Sequence, residues 1–417
     1  MIHLIEALNY RCLRYVRQRL GSFHVLIGPN ASGKTTFLDV ISFLSSLVWD
    51  GPENAIRDRT QVFEDLVWSR EGKQFELAVE AIIPEDRKKH LAKKFEAIRY
   101  EVRVGLDPKT DELGILEEKA WLKPLEAEPP REPMLFPIER QPPNSILTGK
   151  AEQGWQRILS KAPGGNDNFY VEVRKEGSGK GWFPSIRLGP RKSALGNLPE
   201  DERKFPVSTW FKDFLAQNVQ TIVLNSLLIR KASPPGQVRS FKPDGSNLPW
   251  VISELEKTKH FRNWIAHVAT ALPDVEGIRT IERADDKHRY LVIRYKGGLE
   301  VPSWMASDGT LRFLALTILA YLSEFKGVYL IEEPENGIHP SAVESVYQSL
   351  SSVYDAQVLL ATHSPVILGL AEPDKVLCFK KTESGATDIV LGSEHPGLRN
   401  WKGEIDLGTL FAGGVLG

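Results

Sequence analysis

The residues whose types and spacing most clearly predict chemistry form one glycine-rich run near the amino terminus. The run matches the G-x-x-x-x-G-K-[ST] pattern of a phosphate-binding loop, and its residues are Gly28, Pro29, Asn30, Ala31, Ser32, Gly33, Lys34 and Thr35. Its glycines allow backbone N–H groups to surround a phosphate without obstruction by a Cβ atom. In such a loop Lys34 reaches the β- and γ-phosphates of a nucleotide, and the Thr35 hydroxyl is a ligand for Mg²⁺.

The residues on both sides of this run support the same interpretation. Residues 23–27, before the run, predict a short buried strand, and residues 36–44, after it, have apolar side chains at helical spacing. A strand, a glycine-rich loop and a helix in this order are the structural context in which the pattern binds phosphate. We therefore expect a nucleotide site that also includes Thr36 at the start of the helix.

A second motif combines a buried strand with two acids. Four apolar residues, 328–331, lead directly into Glu332 and Glu333. Such a run is typical of a buried parallel strand whose carboxyl end presents acidic side chains at the edge of a sheet. Glu332 is then expected to hold Mg²⁺, and Glu333 to orient and polarise the water that attacks a phosphate. The alternative is a solvated pair of charges at the end of a strand.

Two further motifs add polar groups to the candidate site. Ser307, Asp308 and Gly309 precede a strongly apolar helical stretch, so they form either a second phosphate-facing helix start or an ordinary N-cap. Residues 358–361 predict another buried strand, which leads into a Thr-His-Ser-Pro motif. His363 in that motif is either a structural histidine or a sensor of the γ-phosphate.

The order of these motifs resembles the ATPase heads of the ABC type. The nearest resemblance is to prokaryotic stand-alone AAA-family ATPases related to RecF, SMC proteins and the OLD nucleases, a group that includes anti-phage defence ATPases such as the PARIS type. The resemblance extends over about residues 1–80 and 300–380. It implies an α/β P-loop NTPase fold: an ABC-ATPase-like head with a mixed central sheet, an antiparallel β subdomain, a helical lobe and a β-rich insertion.

The resemblance also implies a role for each motif. In this comparison the Walker A loop is 28–35, the Walker B acid Glu332, the catalytic glutamate Glu333, the signature 307–310, the D-loop equivalent 335–340 and the switch histidine His363. The signature reads Ser-Asp-Gly-Thr, whereas that of ABC transporters reads Ser-Gly-Gly-Gln, which leaves its contact with the γ-phosphate open. The Q-loop glutamine is either Gln61 or Gln74.

The activity that the resemblance implies is Mg²⁺-dependent hydrolysis of ATP, with Lys34, Glu333 and His363 as the catalytic residues. A homodimer or higher oligomer would enclose ATP between its heads and act as a switch or sensor. The switch would control a separately encoded effector, such as a nuclease, in anti-phage defence or DNA processing. Two alternatives are a RecF-like DNA-repair clamp, which salt-dependent DNA affinity would favour, and an ATP-stabilised scaffold, which steady phosphate release would exclude.

The composition is typical of a globular protein, and the cysteine usage fits the reducing cytoplasm, where we expect the protein. The chain has 417 residues, of which 41 % are hydrophobic and 26 % charged. It has no run of about 18 or more apolar residues and no signal-peptide pattern, so we expect no membrane association. Its two cysteines, Cys12 and Cys378, lie far apart in sequence and argue against a disulfide framework and a cysteine-based zinc site.

The charge balance limits how the chain could bind DNA. With 53 basic and 54 acidic residues the net charge is −1, so DNA binding would require a local basic patch. Two clusters are candidates: residues 87–94, and Arg230 and Lys231 together with Arg239 and Lys242. Acidic residues lie near each cluster in the sequence, so we expect solvated surfaces in both places.

Four segments are expected along the chain. They are the N-terminal part of the head, an insertion, a helical lobe that ends in the signature, and the C-terminal part of the head, at 1–84, 85–205, 206–312 and 313–417. No heptad pattern lies between the phosphate loop and the signature, so we expect no long coiled-coil arm. The 54 residues after His363 are too few for the Toprim domain of OLD nucleases. The apolar, glycine-rich tail predicts a strand or a frayed end, or else a contact with a partner.

Periodicity and turn residues predict the remaining elements. Strands are expected as an antiparallel pair before residue 23 and at 74–83, 99–104, 169–173 and 375–379. Helices are expected at 86–95, where the residues are basic, and at 210–215, 248–255 and 261–272. Residues 123–149 are rich in proline and glutamate, which predicts an exposed loop.

Overall fold

The structure is a computed structural model that describes residues 1–91, 94–107, 110–126, 135–173, 185–322, 325–398 and 406–416. These residues form sixteen β-strands: β1 (Ile2–Tyr10), β2 (Leu13–Arg19), β3 (Phe23–Ile27), β4 (Gln74–Ile82), β5 (Ala97–Leu106), β6 (Leu113–Lys123), β7 (Gln156–Lys161), β8 (Asn168–Phe169), β9 (Val219–Ile222), β10 (Val275–Glu282), β11 (Arg289–Tyr295), β12 (Glu300–Pro302), β13 (Val328–Glu332), β14 (Gln357–Ala361), β15 (Val376–Lys381) and β16 (Thr387–Leu391). The same residues form eleven α-helices: α1 (Lys34–Trp49), α2 (Pro52–Arg57), α3 (Glu85–Lys88), α4 (Pro206–Gln217), α5 (Ser226–Ile229), α6 (Leu248–Leu255), α7 (His260–Ala271), α8 (Asp308–Thr317), α9 (Pro340–Ser351), α10 (Pro365–Leu370) and α11 (Leu407–Ala412).

The elements on which the site prediction depends are confirmed. Strand β3 precedes the phosphate loop and α1 follows it, as the apolar patterns predict. Strands β13 and β14 occupy the two other apolar runs, and α8 begins directly after Ser307. The predicted antiparallel pair is β1 and β2, and the predicted helices after residue 206 are α4, α6 and α7.

The chain divides into two compact units, each assembled from separate stretches of sequence. The first unit comprises residues 1–21, 28–219 and 377–399. Its main sheet has seven strands in the order β2-β1-β4-β5-β6-β7-β8, and neighbouring strands are antiparallel. Helix α1 packs against β1, β4 and α4, with Phe37 and Phe43 fully buried. The helix that follows the phosphate loop is therefore fixed by a large apolar core.

The second unit comprises residues 22–27, 220–376 and 400–417. Its strands β3, β14 and β13 are parallel neighbours, and β9 follows them in the sheet order. Leu26 lies opposite Ala361, and Ala361 lies opposite Glu332, so the three strands end at the same edge. Ligands of open parallel sheets bind at the carboxyl ends of the strands. This edge therefore carries the acids and the histidine that the sequence singles out.

Four predictions of secondary structure need correction, and the first is the strand expected at 169–173, which is shorter because β8 comprises only Asn168–Phe169. Segment 206–312 is not wholly helical, because β10, β11 and β12 form a three-stranded antiparallel sheet, in which β11 contains the short buried apolar run Leu291, Val292 and Ile293. The basic helix predicted at 86–95 is shorter, since α3 ends at Lys88 and the charged residues after it offer no apolar face to bury. The C-terminal tail forms helix α11, which packs against α10, and a Cβ atom on Gly408 would lie 2.1 Å from the carbonyl oxygen of Pro365.

The predicted insertion is continuous with the sheet of the first unit. Strand β5 pairs with β4 from Gln74 opposite Gly105 to Ile82 opposite Ala97. The domain boundaries stay a prediction. Some residues of the predicted basic helix and of the proline-rich loop lie outside the described residues: Lys93, Pro129, Pro130 and Pro133.

The lengths of the described helices bear on two expectations, that the chain has no membrane-spanning helix and no long coiled-coil arm. None of them has the length and apolar character that crossing a membrane requires. The longest described helix, α1, has 16 residues, so the described residues contain no long coiled-coil arm. Both cysteines are free thiols.

Candidate nucleotide site

The phosphate loop begins at Gly28, the residue after β3, and its backbone depends on glycine. Gly28 and Gly33 have φ angles of 146° and 106°, in a region that residues with a Cβ atom rarely adopt. A Cβ atom on Gly28 would lie 2.2 Å from the carbonyl oxygen of Phe379. The loop therefore passes close to the backbone of β15, where only glycine fits.

The loop is also closed by β16 of the same unit. The Thr387 hydroxyl donates a hydrogen bond of 2.9 Å to the carbonyl oxygen of Ser32. A Cβ atom on Gly33 would lie 2.3 Å from Thr387 Oγ1. Phe379 and Thr387 were not predicted as part of the site, because no local pattern links them to a loop about 350 residues earlier in the sequence.

Lys34 is buried, and its ammonium group lies inside the loop. Lys34 Nζ donates hydrogen bonds of 2.7 Å to the Gly28 carbonyl and 3.0 Å to the Pro29 carbonyl. Helix α1 begins at this lysine with no side-chain cap and no acid in its first turn. A helix start of this kind attracts an anion through its N–H groups and its dipole.

Two observations test whether a nucleotide phosphate fits the loop. Ser32 Oγ is buried and has no hydrogen-bond partner among the described residues. The backbone turns at Gly28 and Gly33 leave no room for Cβ atoms, as expected where a backbone wraps an anion. Thr35 is exposed and Thr36 is half-buried in the first turn of α1. The donors of the loop therefore fit a phosphate.

In the second unit, the acids lie at the end of β13. Glu332 is the last residue of the strand, and Glu333 follows with a φ angle of 47°, which is uncommon for a residue with a side chain. Glu333 N donates a 2.7 Å hydrogen bond to the Ala361 carbonyl at the end of β14. Asn336 Nδ2 donates to Glu333 Oε2, and Asn336 N donates to the Glu333 carbonyl at 3.0 Å. Glu333 is therefore held in one orientation while its side chain stays exposed.

Glu335 joins the loop after β13 to the motif after β14. Its Oε1 accepts hydrogen bonds from Thr362 Oγ1 at 2.6 Å and from His363 N at 3.3 Å. Its Oε2 is buried and has no hydrogen-bond partner among the described residues. His363, half-buried at the end of β14, is thus fixed through its backbone by an acid of the neighbouring loop.

The donors at this edge suit Mg²⁺. Carboxylate oxygens are its preferred protein ligands, and it is usually held by one or two carboxylates together with substrate phosphates. The described residues contain no cluster of three or more His, Cys, Asp or Glu side chains that would hold a metal alone. Glu332, an exposed carboxylate at the end of β13, therefore fits a cation that arrives with a nucleotide.

Ser307 caps helix α8, as its N-cap interpretation predicts. Ser307 Oγ accepts a 3.1 Å hydrogen bond from Thr310 N and lies 2.8 Å from Thr310 Oγ1. A Cβ atom on Gly309 would lie 2.5 Å from the Gly337 carbonyl oxygen, so the start of α8 packs directly on the loop that contains Glu335. The second unit thus groups the predicted residues 307–309, 332, 333 and 363 around β13 and β14, whereas 28–36 belong to the first unit.

Some candidate site residues have no decisive signal in the sequence. Gln61 lies in an exposed bend and Gln74 begins β4, where it is also exposed, so the Q-loop assignment stays open between them. Asn336 was recognised only as part of a motif, although its spacing of three residues from Glu333 is a signal for a turn contact.

The fold is that of an SMC head. The SmcHead crystallised with the C-winged helix domain of ScpA has 15 % sequence identity to this chain and a TM-score of 0.54, over 93 % of this chain and 96 % of that one. The Smc head domain with an extended coiled coil, bound to the C-terminal domain of ScpA and derived from Pyrococcus furiosus, has 14 % identity and a TM-score of 0.49, over 93 % and 95 % of the two chains. The SMC head domain of Thermotoga maritima has 11 % identity and a TM-score of 0.44, over 94 % and 98 %. The prediction of an α/β P-loop NTPase head of the ABC type is confirmed by the first of these.

The sequence also defines a family. The chain belongs to the family described as "AAA domain, putative AbiEii toxin, Type IV TA system", whose model matches residues 23–369. No curated protein matches the chain in sequence. The protein is therefore an AAA-type ATPase with the fold of an SMC head, as its resemblance to ABC-type AAA-family ATPases implies.

Proposed function

We propose that this protein hydrolyses ATP and that its heads pair around the nucleotide. The observation that carries the proposal is Glu333, an exposed acid with a positive φ angle that two neighbouring elements hold at the carboxyl edge of a parallel sheet. A backbone held in a sparsely populated conformation is often found at a functional site. An acid held in this way can accept a proton from water and orient it for in-line attack on the γ-phosphorus.

Nucleotide binding is assigned to the phosphate loop. Its N–H groups and Lys34 would hold the β- and γ-phosphates, since both are arranged to neutralise negative charge. Thr35 and Glu332 would hold Mg²⁺, which neutralises charge on the phosphates when it is bound. Water attack breaks the bond between the γ-phosphorus and the bridging oxygen, and ADP and phosphate leave. His363 would contact the γ-phosphate.

The pairing of heads is assigned to the signature. Ser307, Asp308 and Gly309 of one subunit would face ATP on the phosphate loop of a second subunit, so that each two-fold pair of heads, in a dimer or a higher oligomer, contains two shared sites. Hydrolysis removes the anion that joins the subunits and allows them to separate. The binding and hydrolysis of ATP would therefore control whether two subunits are paired, and this pairing is the switch.

The output of the switch is proposed to be a separately encoded effector in anti-phage defence or DNA processing, such as a nuclease. The family description, which names a toxin of a toxin–antitoxin system, supports a defence role. The solved SMC head with a bound ScpA domain supports the proposal that this head type docks a second protein. The genes adjacent to the one that encodes this chain provide a direct test, because a nuclease or Toprim-like neighbour would favour the switch.

The proposal is tested with Glu333→Gln, which retains the shape of the side chain but removes the base. We expect phosphate release to fall by at least about 100-fold while ATP binding persists, because a positioned base contributes roughly 10²–10⁴-fold. Light scattering with ATP should show the mutant at twice its monomer mass. If the protein without nucleotide is already oligomeric, retained nucleotide is measured instead.

Glu344→Gln, an exposed acid on α9, is the matched control and should hydrolyse ATP like the wild type. A Glu333→Gln protein with normal turnover would contradict the assignment. A wild type that binds ATP but never releases phosphate would favour the scaffold, and salt-dependent DNA affinity would favour the clamp.

A further inference from the structure

The signature carries a charge that its proposed role does not explain. Asp308 occupies the first position of α8, next to Ser307, and its side chain is 60 % exposed. A carboxylate in the first turn favours the helix itself, because it interacts with the positive end of the dipole. The same carboxylate repels a polyphosphate that approaches this helix start.

One cation of the second unit compensates this carboxylate. Arg230 Nη2 and Nε lie 2.6 Å and 2.9 Å from Asp308 Oδ1, and both donate to it. Arg230 Nη1 also donates a 3.2 Å hydrogen bond to the carbonyl oxygen of Trp304. The guanidinium group therefore binds the chain on both sides of Ser307, which fixes the segment from 304 to 308.

Arg230 is itself held by its surroundings. Its backbone carbonyl accepts a 2.9 Å hydrogen bond from the hydroxyl of Ser303, a fully buried residue. It directly follows α5, whose N-cap Asn225 accepts hydrogen bonds from Leu227 N and Leu228 N. The arginine thus projects from a short helix with defined ends rather than from a free loop.

We propose that Arg230 is a positioning residue of the signature: it neutralises Asp308 and fixes the turn at Ser307 so that α8 can face the phosphates of a second subunit. This inference rests on the proposed function. It also explains how an acidic signature can serve a site that binds an anion. Arg230, which the sequence offered as part of a basic patch for DNA, is engaged by an acid of its own unit.

This ion pair contributes little to the stability of the fold. The side chains of Arg230 and Asp308 are 28 % and 60 % exposed, and ion pairs at such surfaces contribute little to folding. Loss of Arg230 should therefore leave the fold intact and leave an uncompensated carboxylate at the start of α8. The loss of ATP turnover in such a variant should then depend on the presence of Asp308 and on ionic strength. A loss of turnover caused by general unfolding would depend on neither.

The experiment compares ATP turnover by the wild type, Arg230→Ala, Asp308→Asn and the double variant. We expect Arg230→Ala to lower turnover by about 10-fold or more, with ATP binding to its own phosphate loop unchanged. The double variant should match Asp308→Asn and exceed Arg230→Ala, because removal of the carboxylate removes the need for the cation. The defect of Arg230→Ala should also shrink as salt rises from about 0.1 M to 1 M, since the Debye length falls from about 10 Å to 3 Å.

Arg279→Ala is the matched control, because Arg279 pairs with Glu300 at 2.7 Å on another exposed surface of the same unit. It should turn over ATP like the wild type. Mixed with Lys34→Ala protein, Arg230→Ala should regain activity, whereas a mixture with Ser307→Arg should not, because both changes affect the signature side.

The outcomes separate this proposal from the one on which it rests. Normal turnover by Arg230→Ala, or a double variant as slow as Arg230→Ala, would overturn the role of Arg230 alone. A wild type without ATP turnover would overturn the proposed function and the role of Arg230 with it.

Discussion

Helices α1 and α8 both begin at a glycine-containing motif, yet their first turns are built differently. Helix α1 begins at Lys34 after Gly33, with no side-chain cap and no acid in its first turn. Helix α8 begins at Asp308 after Ser307, whose Oγ accepts a hydrogen bond from Thr310 N. The first helix start presents a buried cation, and the second presents a cap and an acid.

The difference indicates that the two helix starts receive an anion in different ways. The start of α1 combines the positive end of a helix dipole with an ammonium group, so it attracts phosphate by itself. At α8 one N–H group is already bonded to Ser307 Oγ, and the adjacent Asp308 is paired with Arg230, so these side chains add no net positive charge that would attract an anion. We therefore expect phosphate to bind first at α1 and to meet α8 only when a second subunit presents it.

Lys34→Ala should have the largest effect, because it removes the cation that distinguishes α1 from α8. We expect ATP affinity and turnover both to fall, with turnover lower by at least about 100-fold. Phosphate release and titration with a fluorescent ATP analogue measure the two quantities. Lys73→Ala, at an exposed lysine of the same unit, is the control. Unchanged turnover would show that the two helix starts do not differ in the way described.

Ser307→Arg should separate binding from hydrolysis. The change places bulk and charge at the start of α8, so the protein should still bind ATP on its phosphate loop but lose turnover by about 100-fold. Mixed with Lys34→Ala protein, it should regain part of its activity, since one of the two shared sites in a mixed dimer is then intact.

Two results would contradict that prediction. A mixture that stays inactive although mixed dimers form would mean that the sites are not shared or that both must act together. Full activity of Ser307→Arg alone would leave Ser307 as a helix cap only.

The two units that contain α1 and α8 should also differ in how their stability depends on pH. In the first unit, Glu172 at the start of α4 is buried and accepts hydrogen bonds of 2.6 Å from Val207 N and 2.9 Å from Ser208 N. Burial raises the pKa of its carboxyl group to about 7. Its contribution to stability is complete below the unfolded pKa of about 4.5 and is lost as pH rises through 7.

We therefore expect the wild type to lose about 2.5 kcal/mol of unfolding free energy between pH 5 and 8 relative to Glu172→Gln. Hydrogen exchange of the α4 amides in both proteins measures the effect locally. A constant difference between the two proteins across this range would mean that Glu172 does not titrate.

In the second unit the unfolding free energy should change with pH in the opposite direction and fall as pH decreases. His24 on β3 is buried, and its Nδ1 lies 3.2 Å from the Lys375 carbonyl oxygen. Burial lowers the pKa of its imidazole to about 4, so its contribution to stability is complete above the unfolded pKa of about 6.5 and is lost as pH falls through 4. Relative to His24→Asn, the wild type should lose about 2 kcal/mol between pH 7 and 5, measured by hydrogen exchange of β3. An equal change of unfolding free energy with pH in both proteins would contradict this prediction.

The sequence predicts the parts of the site that follow from local pattern. The phosphate loop has a fixed spacing, and β3, β13 and β14 are short apolar runs, so their positions could be predicted without a structure. The contacts of Thr387 with the loop and of Arg230 with Asp308 could not, because they join residues 355 and 78 positions apart. Such contacts depend on tertiary packing, which leaves no periodic signal in a single sequence.

The hydrogen bonds of Glu335 have a consequence for how binding at one position of the second unit can affect binding at another. One end of the loop 335–340 holds His363 through Glu335 Oε1, and Gly337 in the same loop lies against Gly309. We therefore expect a ligand that displaces this loop at the histidine to displace the start of α8 as well. Because linkage of this kind is reciprocal, whatever docks on α8 must alter the affinity at the histidine by the same factor. We expect the stiffness of loop 335–340 to determine how strongly binding at one of its ends changes the affinity at the other.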